Sequence, residues 1–157
     1  AAPYATNAAA AAKTRKFTID YCPGRIGVSP SQADALRLAQ KHRFESVEPF
    51  ADAIGRMSES ERQDLMSQLK ESGLVWGAGG LTVDFRAGQD KFDEGLLQLP
   101  AIAAAMKSVG VTRVGTWLSP SSDQLTYVQN FRQHAQRLKQ VAVVLGDSGL
   151  RFGLEYV

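Results

Sequence analysis

Short strand signals alternate with amphipathic helix signals from Phe17 onwards, and this alternation constrains the fold more than any other feature. Strand-like runs begin near residues 17, 44, 74, 111 and 151, so they lie 27 to 40 residues apart. That spacing leaves room for one helix between consecutive strands, as in βαβ units with parallel strands. The sequence therefore predicts an α/β fold with five parallel strands and four helices.

Capping signals predict where the helices begin and end. Ser29 is expected to cap the first helix, with Pro30 at its first position and Gln32 completing a capping box. Ser58 predicts a second helix start of the same kind, and Gly73 predicts its end.

The remaining helices are predicted mainly from apolar periodicity. We expect the third from about Lys91, interrupted at Pro100, and the fourth from Ser121 onwards. His42 is expected to close the end of the first helix. Solvated positions are expected on the fourth helix at Arg132, His134, Arg137 and Lys139.

The number of strands favours part of a barrel. A closed (β/α)8 TIM barrel usually takes about 250 residues, so five strands and four helices in 157 residues match its first part. We therefore expect the chain to be part of a longer protein. The alternative is an open five-stranded doubly wound sheet, whose length fits well. Against it, the sequence shows no helix after the last strand and no phosphate-binding glycine loop after the first.

Residues 1–16 precede the first strand and are mostly alanine. We expect them to form a disordered tail, with one domain over residues 17–157. Small residues flank the cleavage sites of export signals, so an exported or periplasmic location is weighed against a cytoplasmic one.

Composition excludes several partners. The net charge of +2 is too small to indicate a nucleic-acid partner. The sequence has no run of about 18 apolar residues, so it predicts no membrane-spanning helix. Cys22 is the single cysteine, so an internal disulfide is excluded.

Alternation of large apolar side chains predicts which strand residues face the barrel interior. Phe17, Ile19 and Tyr21 are expected to face the helices, as are Val47, Phe152 and Leu154. The opposite phase then faces inward. That inward set is Thr18, Asp20 and Cys22, Ser46 and Glu48, Trp76 and Ala78, Gly115 and Trp117, and Gly153 and Glu155.

Asp20, Glu48, Trp117 and Glu155 end their strands and are predicted to line one mouth, where barrel enzymes carry their chemistry. Buried carboxylates need a partner, and a divalent cation such as Mg or Mn is one solution. Hydrogen-bonded structural roles for the acids and a core role for Trp117 remain open at this point. Cys22 is expected to be a small buried side chain rather than a nucleophile.

Three segments resemble the sugar phosphate isomerase/epimerase family of xylose-isomerase-like barrels. They are the second strand with its preceding turn at 41–48, the third strand at 73–77 and the fifth strand at 149–155. The resemblance implies that Glu155 ligates a divalent metal (Mn, Mg, Co or Zn) and takes part in proton transfer. It also implies that Trp117 borders the sugar and that Glu48 lies near the pocket. The other ligands in that family come from three later strands, which this sequence does not contain.

The resemblance implies a metal-dependent sugar or polyol isomerase or epimerase that removes a proton next to a carbonyl. Its partner would be a small sugar-derived substrate, bound by Trp117, Glu48, Asp20 and Cys22, and a homo-oligomer is left open. One alternative is a lyase or dehydratase acting on an oxidised sugar or cyclitol. Another is a non-catalytic half-barrel that binds sugar or serves in assembly.

Overall fold

The computed structural model describes residues 15–118 and 120–156. The strands are β1 (Asp20–Tyr21), β2 (Ser46–Val47), β3 (Val75–Trp76), β4 (Gly79–Gly80), β5 (Arg113–Leu118) and β6 (Arg151–Tyr156). The helices are α1 (Gln32–Lys41), α2 (Ala51–Arg56), α3 (Glu59–Glu71), α4 (Gln89–Ser108) and α5 (Tyr127–Asp147). A short 3-10 helix at Pro23–Ile26 follows β1.

The strands lie side by side in the order of the sequence, and all pairs are parallel. β1, β2 and β3 form one three-stranded sheet, and β4, β5 and β6 form a second. Sequential order is that of a (β/α)8 barrel, whereas a doubly wound sheet reverses its order at a switch point. The predicted barrel arrangement is confirmed and the open-sheet alternative is wrong. Within the described residues the strands do not close into a complete barrel.

The third predicted strand is divided into β3 and β4, and the two pieces present opposite phases. Trp76 is aligned with the buried Val47, whereas Gly80 is aligned with Gly115 on the inner face. Residues four apart in an unbroken strand share a face, so the chain shifts by one residue between the two pieces. Trp76 consequently faces the helices, where its indole N–H donates to the carbonyl of Val109 at 2.8 Å. The predicted inward orientation of Trp76 is wrong.

Apolar side chains on the outer face of the strands pack against the helices and form the core. Tyr21 contacts Phe44 with ring centroids 5.0 Å apart, and Val47 is fully buried. Burying a large apolar side chain contributes about 1.5–3 kcal/mol. The helical core residues are Ala35, Leu36 and Ala39 of α1, Ala51 and Ile54 of α2, Leu65 of α3, Phe92, Leu99, Ala103, Ala105 and Met106 of α4, and Leu138, Val141 and Leu145 of α5.

Capping residues confirm the predicted start of α3 and correct that of α1. Ser58 and Glu61 form the predicted capping box, in which the Ser58 hydroxyl accepts from the Glu61 N–H at 3.3 Å and the Ser58 N–H donates to Glu61 at 2.7 Å. α1 begins at Gln32 with Ser31 as its cap, two residues after the predicted Ser29. His42 caps the end of α1 as predicted.

The later helices differ more from prediction. α4 runs without a break through Pro100, because the buried residues Leu99 and Ala103 hold both sides of the proline against the core. α5 begins after Thr126, whose capping box with Gln129 replaces the predicted start at Ser121. The short helix α2 was not predicted.

Two side chains of α5 were predicted to be solvated and are not. Arg137 is 5% exposed, and His134 is half-buried with its ring edge-on to Phe85 at 5.0 Å. Burial, Arg86 and Arg137 lower the pKa of His134, which favours the neutral imidazole. Arg132 and Lys139 are exposed, as predicted.

Most of the predicted tail, residues 1–14, lies outside the described residues. Arg15 belongs to the described part and forms an ion pair with Glu45 at 2.6 Å. Among the described helices, none has both the length and the apolar character that crossing a bilayer requires.

Candidate functional site

An open pocket of about 490 Å³ lies at the carboxyl ends of the strands. Eight residues predicted to face inward line it, among them the five with polar or aromatic side chains: Asp20, Cys22, Glu48, Trp117 and Glu155. Arg25, Ala78, Gly79, Gly80, Leu81, Gly115, Thr116, Gly153 and Leu154 complete the lining. The predicted convergence of strand-end residues on one mouth is therefore present, including the inward position of Ala78.

Asp20 projects from β1 towards the pocket. One carboxylate oxygen, Oδ2, accepts a hydrogen bond from the Cys22 thiol at 3.1 Å. The other, Oδ1, is buried and has no hydrogen-bond partner among the described residues. A Cβ atom at Gly77, directly after β3, would lie only 2.3 Å from Oδ2, so a larger residue there would displace this carboxylate.

The environment of Cys22 favours the protonated form of its thiol. Burial raises the pKa of its thiol to about 12, helped by the hydrogen bond to Asp20 and the charges of Asp20 and Glu48, while Arg25 acts in the opposite direction. A thiol with this pKa is protonated at neutral pH and is a poor nucleophile. The expectation of a non-nucleophilic cysteine agrees with this environment.

Glu48 follows β2 and is half-buried at the pocket wall. Burial raises its pKa, the charge of Asp20 raises it further, and Arg25 lowers it. The backbone around Glu48 is fixed by Gln32, whose side chain donates to the Glu48 carbonyl at 3.2 Å and accepts from the Phe50 N–H at 2.6 Å. Gln32 is 4% exposed and does not form the predicted capping box, because its amide is engaged in this bridge.

Trp117 and Glu155 are aligned on neighbouring strands β5 and β6, so both project to the inner face. The Trp117 ring is 43% exposed towards the pocket. Glu155 lies 4.0 Å from the Arg25 guanidinium, and both side chains are mostly exposed. An ion pair of this kind contributes little to stability, so the Glu155 carboxylate is available to other partners.

The floor of the pocket is main chain. Gly80, Gly115 and Gly153 are aligned with one another across β4, β5 and β6 on the inner face. Barrel interiors are usually filled by bulky branched side chains at such positions. This row leaves the space empty and gives the pocket its depth.

Arg86 is a pocket neighbour that the sequence did not indicate. It lies in the loop after β4, with its guanidinium 4.1 Å from the centroid of Phe85 and 4.1 Å from that of Trp117. It also donates to the Trp117 carbonyl. The adjacent Phe85 was a weak signal, since arginine stacks readily on aromatic rings.

The described residues do not bring three candidate metal ligands together. Glu155 offers a hard carboxylate donor of the type that divalent cations accept, but its nearest charged partner is Arg25. The described residues therefore do not complete a metal site on their own.

No protein-family model matches the sequence, and no curated protein matches it. Solved structures do match. A xylose isomerase domain protein from Alicyclobacillus acidocaldarius is 29% identical with a TM-score of 0.68, over 82% of this chain and 46% of that one. The 3-keto-D-glucoside 4-epimerase YcjR from E. coli is 14% identical with a TM-score of 0.64, over 86% of this chain and 53% of that one.

The IOLI protein, solved with a bound zinc atom, is 14% identical with a TM-score of 0.71, over 90% of this chain and 52% of that one. The neighbours are xylose isomerase-like TIM barrel proteins and sugar epimerases, in agreement with the resemblance in the sequence. The chain spans about half the length of the structures it matches.

Proposed function

We propose that this chain contributes the first five strands of a metal-dependent sugar isomerase or epimerase, which acts by proton abstraction next to a carbonyl. One observation carries the proposal. Glu155, Glu48, Asp20 and Trp117 meet around one pocket at the carboxyl ends of parallel strands, in a fold shared with sugar epimerases.

Glu155 is proposed as the catalytic carboxylate. It lies one residue before the end of β6, lines the pocket and has only a weak ion pair to hold it. An ionised carboxylate can take the proton from a carbon next to the substrate carbonyl, and an epimerase returns a proton at that carbon. A divalent metal, with Glu155 as one ligand and further ligands from outside the described residues, would polarise the carbonyl when bound.

The remaining pocket residues are proposed to hold the sugar. The exposed face of Trp117 offers an apolar surface for the C–H groups of a sugar ring. Asp20 and Glu48 both line the pocket with their carboxyl groups, which can accept hydrogen bonds from sugar hydroxyls. Cys22 orients Asp20 through its thiol hydrogen bond.

The test is epimerisation of ketohexoses by the full-length protein in the presence of Mn. D-fructose is a suitable first substrate, since a neighbouring D-psicose 3-epimerase was crystallised with it. Glu155→Gln keeps the shape of the side chain and removes its charge, so we expect a loss of about 100-fold to 10,000-fold in kcat. Glu71→Gln, at an exposed carboxylate on α3, is the matched control and should leave kcat unchanged.

Full activity of Glu155→Gln would show that the assigned role is wrong. Release of water from an oxidised sugar, without epimerisation, would replace the proposal by the lyase alternative, which uses the same base. Sugar binding that Trp117→Ala abolishes, in a protein without turnover, would instead identify a binding module.

A further inference from the structure

Arg137 is a buried cation that donates hydrogen bonds to two main-chain carbonyls. It lies on α5 and is 5% exposed. Its Nη1 atom donates to the carbonyl of Phe85 at 2.9 Å and to the carbonyl of Ala87 at 2.7 Å. No acidic side chain pairs with it among the ion pairs of the described residues.

These two carbonyls belong to the residues immediately before and after Arg86. The Nη2 atom of Arg137 also donates to the Gln89 side chain at 3.0 Å, and its guanidinium lies 4.7 Å from the Phe92 ring centroid. One side chain of α5 thus fixes the backbone on both sides of Arg86. Hydrogen bonds from a charged donor to buried carbonyls are costly to lose.

Arg86 in turn contacts Trp117. Its guanidinium lies over the rings of Phe85 and Trp117, 4.1 Å from each centroid, and donates to the Trp117 carbonyl. Trp117 itself is 43% exposed, so packing alone holds this indole less firmly than a core residue. Arginine on one face leaves the rest of the indole open to the pocket.

We infer that Arg86 and Arg137 are positioning residues that hold the Trp117 indole in one orientation at the pocket wall. Arg137 acts through the backbone of the loop, and Arg86 acts by stacking on the ring. The consequence for sugar binding rests on the proposed function, because only there does Trp117 meet a ligand.

The test uses 19F NMR of the full-length protein labelled with 5-fluorotryptophan. The Trp117 signal is assigned by its loss in Trp117→Phe. Arg86→Gln should shift and broaden this signal, because the stacked cation is removed. Arg137→Gln should shift it as well, although Arg137 does not touch the ring. Arg132→Gln, at an exposed residue of the same helix, should leave the signal in place.

An unchanged Trp117 signal in folded Arg137→Gln would overturn the inference. Should that variant fail to fold, Arg137→Lys decides: lysine keeps the charge but lacks the planar fork that spans several acceptors. A shifted signal supports the positioning role, and a signal identical to that of the unmodified protein refutes it.

Titration with D-fructose separates this inference from the proposed function. If the sugar shifts the Trp117 signal, Arg86→Gln should weaken its affinity about 2-fold to 5-fold, the size of a partly exposed cation–π contact. A Trp117 signal that responds to the arginine variants but not to sugars would leave the positioning role standing and refute the role of Trp117 in sugar binding.

Discussion

Gly77→Ala tests whether the Asp20 carboxylate is held in place by its surroundings. The added Cβ would lie 2.3 Å from Oδ2 and 2.6 Å from both Oδ1 and Cγ, whereas ordinary contact begins at 3.4 Å. The carboxylate must therefore move by about 1 Å, the difference between these distances. That movement disturbs the 3.1 Å hydrogen bond from Cys22. Overpacking of this kind costs about 1–3 kcal/mol, so we expect the free energy of unfolding in urea to fall by this amount.

A double-mutant cycle with Asp20→Ala identifies the cause. Truncating Asp20 removes all three atoms that the new methyl group meets, so Gly77→Ala should cost about 1–2 kcal/mol less in that background. Gly24→Ala is the matched control, because a Cβ there meets no atom within 4 Å. If the Gly77 and Asp20 effects are simply additive, the close approach does not explain the need for glycine.

Two further predictions concern pH and reactivity. The pKa of Glu48 is raised above its ordinary 4.5 by burial and by Asp20; its contribution to stability is therefore full below pH 4.5 and is lost as pH rises through the folded-state pKa. Glu48→Gln should accordingly raise the free energy of unfolding at pH 7 relative to the unmodified protein, and at pH 4 this gain in stability should disappear. Urea titrations at both pH values would measure the difference between the two proteins. Equal differences at the two pH values would contradict the raised pKa. The Cys22 thiol, with its pKa raised from 9.0 to about 12, should react with iodoacetamide at pH 8 roughly a thousandfold more slowly than a free thiol. Asp20→Asn should accelerate alkylation, and mass spectrometry would measure both rates; an unaltered rate in Asp20→Asn would argue against the influence of that carboxylate.

Phe17 and Ile19 were predicted to face the helices, but they precede β1 and are 70% and 47% exposed. The sequence predicted the facing of side chains better on the longer strands. On β6, Phe152 lies on the side of α5 while Glu155 lines the pocket, because alternation along an unbroken strand is a local property. At Trp76 the same reasoning failed. The one-residue shift between β3 and β4 is set by pairing with two different strands, and no local pattern records it.

Polar residues with long-range partners were the other source of error. Arg137 lies among charged residues of α5 and was interpreted as solvated, yet its acceptors are about 50 residues earlier in the chain. Gln32 fitted a capping pattern, but its side chain bridges to the loop after β2. Proline usually breaks or kinks a helix. At Pro100 the burial of the neighbouring residues Leu99 and Ala103 outweighs that tendency.

The aligned row of Gly80, Gly115 and Gly153 makes the size of the pocket adjustable by single substitutions. A Cβ added at these positions meets no atom closer than 3.9 Å, so alanine there would narrow the pocket without forcing the sheet apart. Substitutions that add atoms to a well-packed core usually cost stability. Here the residues that set the depth are not the residues that hold the fold, so evolution or a designer can change ligand size and stability almost independently.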